Sequence, residues 1–330
     1  MEGSARNAMT IVSAVIPAYN AARYIGQALG SIKEQRRPVD EIVVVDDCST
    51  DDTVAIATSY GARCLSTGKN GGPGRARNVG LAQARGDIVT FLDSDDWWDP
   101  EHTEVVVGLL ERFPESAVAF SGARSIGMEE LQSTFTIPGE EALDIFWPLV
   151  QRNLIPQLAV AARREVLLAA GGYEESMRWA EDYDLWLRLS RRHKFVCSHR
   201  ITVNYRSHDG QTTTQHPKRL LHGTCLARYR LYRAIEREEP ALRQRLALEL
   251  LGAWERDLKN AWRNRDREFI EAGLAIADLV PESDTIAQDW RLRMRLAWPL
   301  WSALGGVWKV IPGPARSALK DPLLRLTGLD

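Results

Sequence analysis

GDIVTFLDSDD, residues 86–96, changes character half-way along its length. Residues 88–92 form a short run rich in β-branched and aromatic side chains. Such side chains fit a pleated, covered surface, so the run predicts a buried strand. Asp93, Ser94, Asp95 and Asp96 follow at once. Carboxylates cost several kcal/mol to bury unpaired. At the carboxyl end of a central parallel strand they stand where open α/β sheets bind ligands. Hard oxygen donors at that point suit Mg²⁺ or Mn²⁺, held by one or two carboxylates together with substrate phosphates. Taken alone, the triplet reads as a solvated loop whose aspartates cap a helix starting near Pro100. The rest of the chain decides between the two readings.

Upstream, the chain alternates strands and helices. Residues 11–18, IVSAVIPA, predict a first strand ended by Pro17, because proline cannot donate to a ladder. A helix follows with Ile25, Leu29 and Ile32 on one face. Residues 41–45, EIVVV, predict a second strand that also runs into carboxylates, Asp46 and Asp47. Ser49, Thr50 and Asp51 offer N-caps to a helix ending near Gly61. A third strand, ARCLST, leads to the glycine-rich turn GKNGGPG and to a helix carrying Arg75, Arg77 and Asn78 that ends at Gly86. This alternation predicts an α/β fold, a doubly wound and mostly parallel sheet with helices on both faces. Asp46, Asp47, Asp93 and Asp95 then line one sheet edge, where converging carboxylates repel unless a cation joins them.

Beyond Pro100 the pattern loosens. A helix to Phe113, a strand over 117–121, an irregular stretch over 122–155 with a helix around 140–150, a strand over 156–162 and a short helix over 163–170 are expected. EDYDLWLRLSRR, residues 181–192, predicts a helix opening on acids, which its dipole favours. A strand over 201–206 precedes the polar segment SHDGQTTTQHP, and from Pro217 the chain reads as helical. The expected organisation is a leader over 1–9, an α/β domain over 10–215 (a first half 10–99 and a second half 100–215) and an all-α C-terminal region over 216–330.

Composition narrows the class. The chain has 330 residues, 26% charged and 45% hydrophobic, with a formal net charge of −2, so no global charge points to nucleic acid. Cys48, Cys64, Cys197 and Cys225 are dispersed without a CxxC pair, which reads as reduced thiols in a cytoplasmic protein. No run approaches the roughly 20 apolar residues that cross a bilayer.

The glycine-rich turn does not carry a dinucleotide fingerprint, since GGPGRARNVG lacks the GxGxxG spacing and follows the third strand. The nucleotidyltransferase pattern GGxGxRL is nearer, but it ends a first strand, where this chain has PAYN. A glycine loop before an Arg-bearing helix can still cradle a diphosphate through backbone amides.

The order VIPAYN, VVVDDCSTDDT, GGPGRARNVGLAQARGDIVTFLDSDD resembles glycosyltransferase family 2, with its GT-A fold, over residues 11–208. The resemblance implies an inverting enzyme that uses a nucleoside-diphosphate-sugar donor and a divalent cation, Mn²⁺ or Mg²⁺. It implies that Asp47 meets the nucleotide base, a uracil or thymine, with Asp46 in support or at the ribose. Pro17, Ala18 and Tyr19 line the nucleotide pocket, and Ser94 lies beside the donor. Asp93 and Asp95 match the DxD pair, with Asp95 in direct metal contact, while Asp96 is a cap or a support. Arg75 or Arg77 faces the diphosphate, and Asn78 braces the loop. GGYEESMRWAEDYDLWLRL resembles the acceptor-side segment, implying Asp182 as catalytic base and Glu181 as an acceptor-orienting residue. His208 completes the metal shell, although the family's following serine is replaced here by Gln211-Thr212. Arg206 would contact phosphate, and Trp97, Trp98 and Trp179 would stack on sugar or belong to the core. Two other functions stay open: a nucleotide-sugar-binding module without turnover, and a sugar-phosphate nucleotidyltransferase.

Residues 290–330 fall outside the resemblance. They hold Trp290, Trp298, Trp301 and Trp308, with seven basic residues against two acidic ones. Residues 297–311, AWPLWSALGGVWKVI, carry a single charge. This composition suits a segment lying in a membrane interface beside a lipid-linked or glycan acceptor, and equally a domain core or homodimer contact.

Overall fold

The computed structural model describes residues 10–126, 132–133, 141–208, 217–238, 240–263, 266–267, 270–271 and 274. The chain divides into two compact units, Met1–Ala227 and Arg228–Asp330. The expected leader, the helix start at 140, the polar segment over 209–216 and the Trp-rich stretch over 290–330 lie outside the described residues.

The first unit opens with β1 (Val12–Ala18), α1 (Ile25–Lys33), β2 (Glu41–Asp46), α2 (Thr53–Ser59), β3 (Arg63–Ser66), α3 (Pro73–Gln83) and β4 (Ile88–Phe91). β1 is buried along its whole length, VSAVIPA. A continuous apolar run of this kind is what a parallel strand covered on both faces requires. Pro17 does not end the strand: it sits in the ladder opposite Val45, and β1 runs on to Ala18. Ala14, Ile16 and Ala18 pack with Ile25, Leu29 and Ile32 of α1 on one face. On the other face Val15 meets α3, where a Cβ on Gly80 would lie 2.4 Å from the Val15 Cγ1.

The second half adds β5 (Trp97–Trp98), α4 (His102–Arg112), β6 (Ser116–Ile126), β7 (Gln132–Ser133), β8 (Ala142–Leu143), α5 (Phe146–Gln151), β9 (Val160–Arg163), α6 (Arg164–Ala169), α7 (Glu181–Ser190) and β10 (Lys194–Arg206). The sheet order is β3-β2-β1-β4-β9-β6-β10-β5, with β7 on β6 and β8 on β10. β3, β2, β1 and β4 are parallel, as the alternation predicts. β9 then enters between β4 and β6 antiparallel to both, while β6 and β10 are parallel. The result is a mixed α/β sheet with helices on both faces. Residues 156–159 are not strand: a 3₁₀ turn over Gln157–Ala159 precedes β9. The irregular stretch over 122–155 also shortens, since β6 continues to Ile126.

The N-cap of α2 is Asp52, with no side-chain capping bond. Of the residues expected as caps, Asp51 accepts through Oδ1 from the Thr53 amide at the helix start, and all three also tie the loop to the one after β1. The Ser49 hydroxyl accepts from the Asn20 amide, the Asn20 Oδ1 accepts from the Thr50 amide, Asp51 accepts from the Ala22 amide, and Thr53 Oγ1 accepts from the Ala21 amide. The loops that leave β1 and β2 are thereby laced together.

Next come α8 (Pro217–Glu238) and α9 (Pro240–Arg263). Within the second unit, Leu231, Tyr232 and Ile235 of α8 and Leu246, Leu258 and Trp262 of α9 are buried, and Arg228 pairs with Asp257 at 2.5 Å. No helix among the described residues is long and apolar enough to cross a membrane.

Candidate active site

Register aligns the strand ends: Ala18 faces Asp46, and Val15 faces Phe91. The segments carrying Tyr19, Asp47 and Asp93 therefore leave one edge of the sheet. Pro17 and Ala18 are buried, whereas Tyr19 is 54% exposed and stands open at this edge.

Asp47 is buried and fully engaged. Its Oδ1 accepts from the Thr67 hydroxyl at 2.7 Å and the Gly71 amide at 3.0 Å, and its Oδ2 from the Gly72 amide at 2.8 Å. One carboxylate thus shapes the glycine turn, whose Gly72 has φ +86°, a conformation that favours glycine. The Arg75 guanidinium donates to the Thr67 carbonyl and folds along the same turn. Asp46 accepts from the Ser49 amide. Of the four aspartates expected to converge, Asp47 holds the turn, while Asp93 and Asp95 act on each other.

Arg77 is the buried centre of the site. Its side chain is 5% exposed. One terminal nitrogen reaches Asp93 Oδ1 at 2.6 Å and the other reaches Glu181 Oε1 at 2.7 Å. The guanidinium also lies 5.5 Å from the Tyr173 ring centroid. Neighbouring Asn78 braces the facing segment, donating to the Tyr173 carbonyl and accepting from the Tyr173 amide, each at 2.8 Å. A Cβ on Gly172, which has φ +67°, would lie 2.4 Å from the Asn78 Oδ1, so this turn needs glycine on two counts.

Asp95 Oδ2 lies 3.1 Å from His208 Nε2, bringing together a carboxylate and an imidazole 113 residues apart. Burial and the Asp93 charge raise the Asp95 pKa. Asp96 is 1% exposed, and its Oδ1 accepts from the Arg206 amide at 2.7 Å. Burial pushes it well above the carboxylate range, with Asp95 and Asp93 adding to the shift. Arg206 lies between the Tyr24 and Trp97 rings, 4.8 and 4.6 Å from their centroids, and donates to the Asp95 carbonyl. Ser94 is half-buried in the same turn. No cluster of three or more His, Cys, Asp or Glu side chains able to hold a metal occurs among the described residues. Asp95 and His208 are a donor pair of the right chemistry for a hard divalent cation whose remaining ligands come from a diphosphate.

The start of α7 supplies two acids with different surroundings. Glu181 is buried against Arg77, and burial raises its pKa to about 7 although Arg77 pulls it back. Asp182 is partly exposed and accepts from the Asn153 amide nitrogen at 3.2 Å; burial raises its pKa too, with Arg77 opposing. The preceding Ala180 has φ +57°, a left-handed conformation unusual for a residue with a Cβ, of the kind found where a site dictates the backbone.

Among the tryptophans, Trp98 is not a sugar platform. It is 2% exposed, donates to the Leu158 carbonyl and stacks 4.5 Å from His102. Trp97 faces Arg206, and Arg219 of α8 lies 5.1 Å over the Trp179 ring. Asn153 and Tyr173 were not singled out by the sequence. Asn153 lies in an irregular stretch, and Tyr173 reads as an ordinary core aromatic.

Residues 13–163 match the family model described as Glycosyl transferase family 2. Over these residues the chain is similar to glycosyltransferase family 2. An uncharacterized glycosyltransferase of Rickettsia typhi is 32% identical over 210 residues, covering 62% of this chain and 66% of that protein. Poly(ribitol-phosphate) beta-N-acetylglucosaminyltransferase TarS of Staphylococcus aureus is 44% identical over 97 residues, which are 27% of this chain and 17% of TarS. The solved structure of S. aureus TarS 1-349 in complex with UDP-GlcNAc superposes with a TM-score of 0.65 at 22% identity, covering 89% of this chain and 87% of that one. That likeness shows the GT-A fold.

Proposed function

We propose that the protein is an inverting glycosyltransferase that moves a sugar from a nucleoside-diphosphate donor, UDP- or dTDP-linked, to an acceptor hydroxyl in glycan or glycolipid synthesis. The observation that carries the proposal is the pairing of Asp93 and Asp95 at a strand end with a reachable carboxylate, Asp182, across one buried guanidinium. The UDP-GlcNAc bound by TarS 1-349 favours a uridine donor.

In this reading the nucleoside lies over Tyr19, between the laced loops after β1 and β2. The Asp47 carboxylate keeps the amides of the glycine turn in place, which leaves its base contact to be made beside those bonds. Asp95 and His208, with Asp93 and Ser94 beside them, would hold Mn²⁺ or Mg²⁺, which when bound neutralises charge on a leaving diphosphate. The acceptor hydroxyl approaches C1 from the face opposite the diphosphate, and Asp182 takes its proton as general base. Asn153 orients that carboxylate. The raised pKa of Asp182 suits the task, because a base works best when its pKa nears the working pH. Glu181, buried on Arg77, orients rather than accepts protons from the acceptor.

Thermal shift with a panel of nucleotide sugars, with and without Mn²⁺, tests the donor. UDP- or dTDP-sugars should raise Tm in Mn²⁺, and Asp95→Ala should abolish the metal-dependent part while the protein stays folded. No stabilisation by any nucleotide sugar removes the donor site. Donor binding without turnover in any acceptor screen would favour the binding-module reading, and pyrophosphate release from a nucleoside triphosphate plus a sugar phosphate would favour the nucleotidyltransferase.

A further inference from the structure

Two arginines expected to meet phosphate are engaged by protein instead. Arg77 spends both terminal nitrogens on Asp93 and Glu181. Arg206 is stacked between aromatic rings, with the Tyr24 and Trp97 centroids 4.8 and 4.6 Å from its guanidinium carbon. Its Nε donates to the Asp95 carbonyl at 2.8 Å, and a terminal nitrogen donates to Gln27 Oε1 at 2.5 Å. Arginine suits such a place, because its planar face stacks on rings while its edge donates in fixed directions; a lysine ammonium is a single point charge. The fold locates each partner. Tyr24 is the N-cap residue of α1, Gln27 lies in the first turn of that helix, and Trp97 pairs with Asn204 in the ladder of β5 and β10. The Arg206 amide donates to Asp96 Oδ1 at 2.7 Å, so its backbone and side chain grip one aspartate turn. His208 follows, with its ring centroid 5.0 Å from that of Tyr24 and its Nε2 3.1 Å from Asp95 Oδ2. The Tyr24 ring thus lies against both the arginine and the histidine.

We propose that Arg206 is a positioning residue and not a phosphate contact: stacked between Tyr24 and Trp97, it fastens the end of β10 to the turn after β4 and so holds His208 against Asp95. The proposal rests on the reading of Asp95 and His208 as the pair that would hold a divalent cation. These two donors come from segments 113 residues apart. They bind a cation well only when both are in place beforehand, since ordering side chains on binding costs part of the affinity. Tyr24 acts in this arrangement through its ring, not through its hydroxyl.

Two measurements on the full chain test the clamp, using Arg206→Lys, Tyr24→Leu and Tyr24→Phe. The first is amide hydrogen exchange at positions 96 and 206, whose amides donate to the Asp93 carbonyl and the Asp96 carboxylate. It needs neither metal nor donor. Arg206→Lys and Tyr24→Leu should speed both amides by about threefold or more, and Tyr24→Phe should leave them unchanged. Amides of the buried strand β1 should exchange as in the parent in every variant. Unchanged exchange at 96 and 206 in Arg206→Lys overturns the clamp, and so does equal speeding in β1. The second measurement is calorimetric binding of UDP with and without Mn²⁺. Arg206→Lys and Tyr24→Leu should weaken binding about tenfold in Mn²⁺ and leave it unchanged without metal, while Tyr24→Phe binds as the parent does. A phosphate contact predicts another pattern, in which Arg206→Lys weakens UDP equally with and without Mn²⁺ and Tyr24→Leu is silent. That pattern overturns the proposal. If Mn²⁺ does not strengthen UDP binding by the parent, the cation reading falls, and the exchange rates alone decide whether the clamp stands.

Discussion

Asp182 and Glu181 are adjacent in sequence and opposite in circumstance. Glu181 is 6% exposed and tied to Arg77, whereas Asp182 is partly open and accepts from the Asn153 amide. A base has to reach its proton, which supports the proposed assignment of that role to Asp182. Asp182→Asn should lower kcat on the order of 10²–10⁴-fold with donor affinity unchanged, measured as turnover beside calorimetric donor binding. Equal turnover would move the role to another carboxylate. Glu181 makes a separate prediction. Its folded pKa, about 7, lies above the ordinary value, so the folded state binds the proton more tightly than the unfolded state between the two values. Stability then falls as pH rises through that window. His102, buried and held neutral with its pKa lowered to about 3, pulls the other way, since the unfolded chain gains a proton there below its ordinary value. Comparing the parent with Glu181→Gln cancels the histidine. The parent should lose stability relative to Glu181→Gln as pH climbs from the ordinary glutamate range past about 7, read as the difference in urea midpoints. A flat difference would mean that Arg77 fully compensates the burial of Glu181.

At the scale of elements, α3 ties the sheet to the site, and small residues on it permit that closeness. Gly80 packs on Val15 and Val45, Gly74 lies where a Cβ would be 3.1 Å from Glu181 Cγ, and Arg77 and Asn78 reach across. Gly80→Ala should cost about 1–3 kcal/mol by overpacking, measured by denaturant unfolding. Gly108→Ala in α4, where an added Cβ meets nothing within 4 Å, should be neutral or stabilising by up to about 1 kcal/mol through helix propensity. Equal effects at the two glycines would mean that α3 can shift off β1 at no cost. The same elements show what the sequence could disclose. β1, β2, β4 and α1 were legible because both faces of each strand are covered and the helix buries a regular stripe. β9 was expected as a strand over 156–162, but its direction was not legible, because VAAR carries no mark of it and its antiparallel place depends on β4 and β6. β10 looked short because Ser198, His199 and Arg200 break its apolar run. In the structure the ladder to β6 shifts register between Cys197 and Ile201, which takes those three residues out of the pairing. The strand-end aspartates and the acids of α7 were legible as local patterns. The Arg77 bridge was not, since its partners lie 16 and 104 residues away and only the closed sheet brings them together.

For the whole molecule, the proposed donor site and base both lie in the α/β unit, whose residues 13–163 match the family model. The composition of residues 290–330 adds a separate physical argument about where an acceptor is met. Four tryptophans and seven basic residues against two acidic ones surround AWPLWSALGGVWKVI, a stretch with one charge in fifteen residues. Tryptophan prefers the headgroup level of a bilayer, and basic flanks favour anionic lipid by about 1 kcal/mol per residue near the surface. Such a segment is too short to cross a bilayer and suits binding in its plane. A lipid-linked acceptor presents its hydroxyl at that surface, so membrane contact would bring the base to its substrate. The competing reading, a core or dimer contact, predicts no lipid dependence. Co-sedimentation with anionic liposomes at low salt separates them, using the full chain and a version ending at residue 289. The full chain should pellet and the shorter one should not, and raising the salt should release the full chain, because the basic flanks act only within a Debye length. If both versions pellet alike, or neither does, the segment is no membrane contact. Concentration-dependent self-association lost with the same truncation would then assign it to a dimer.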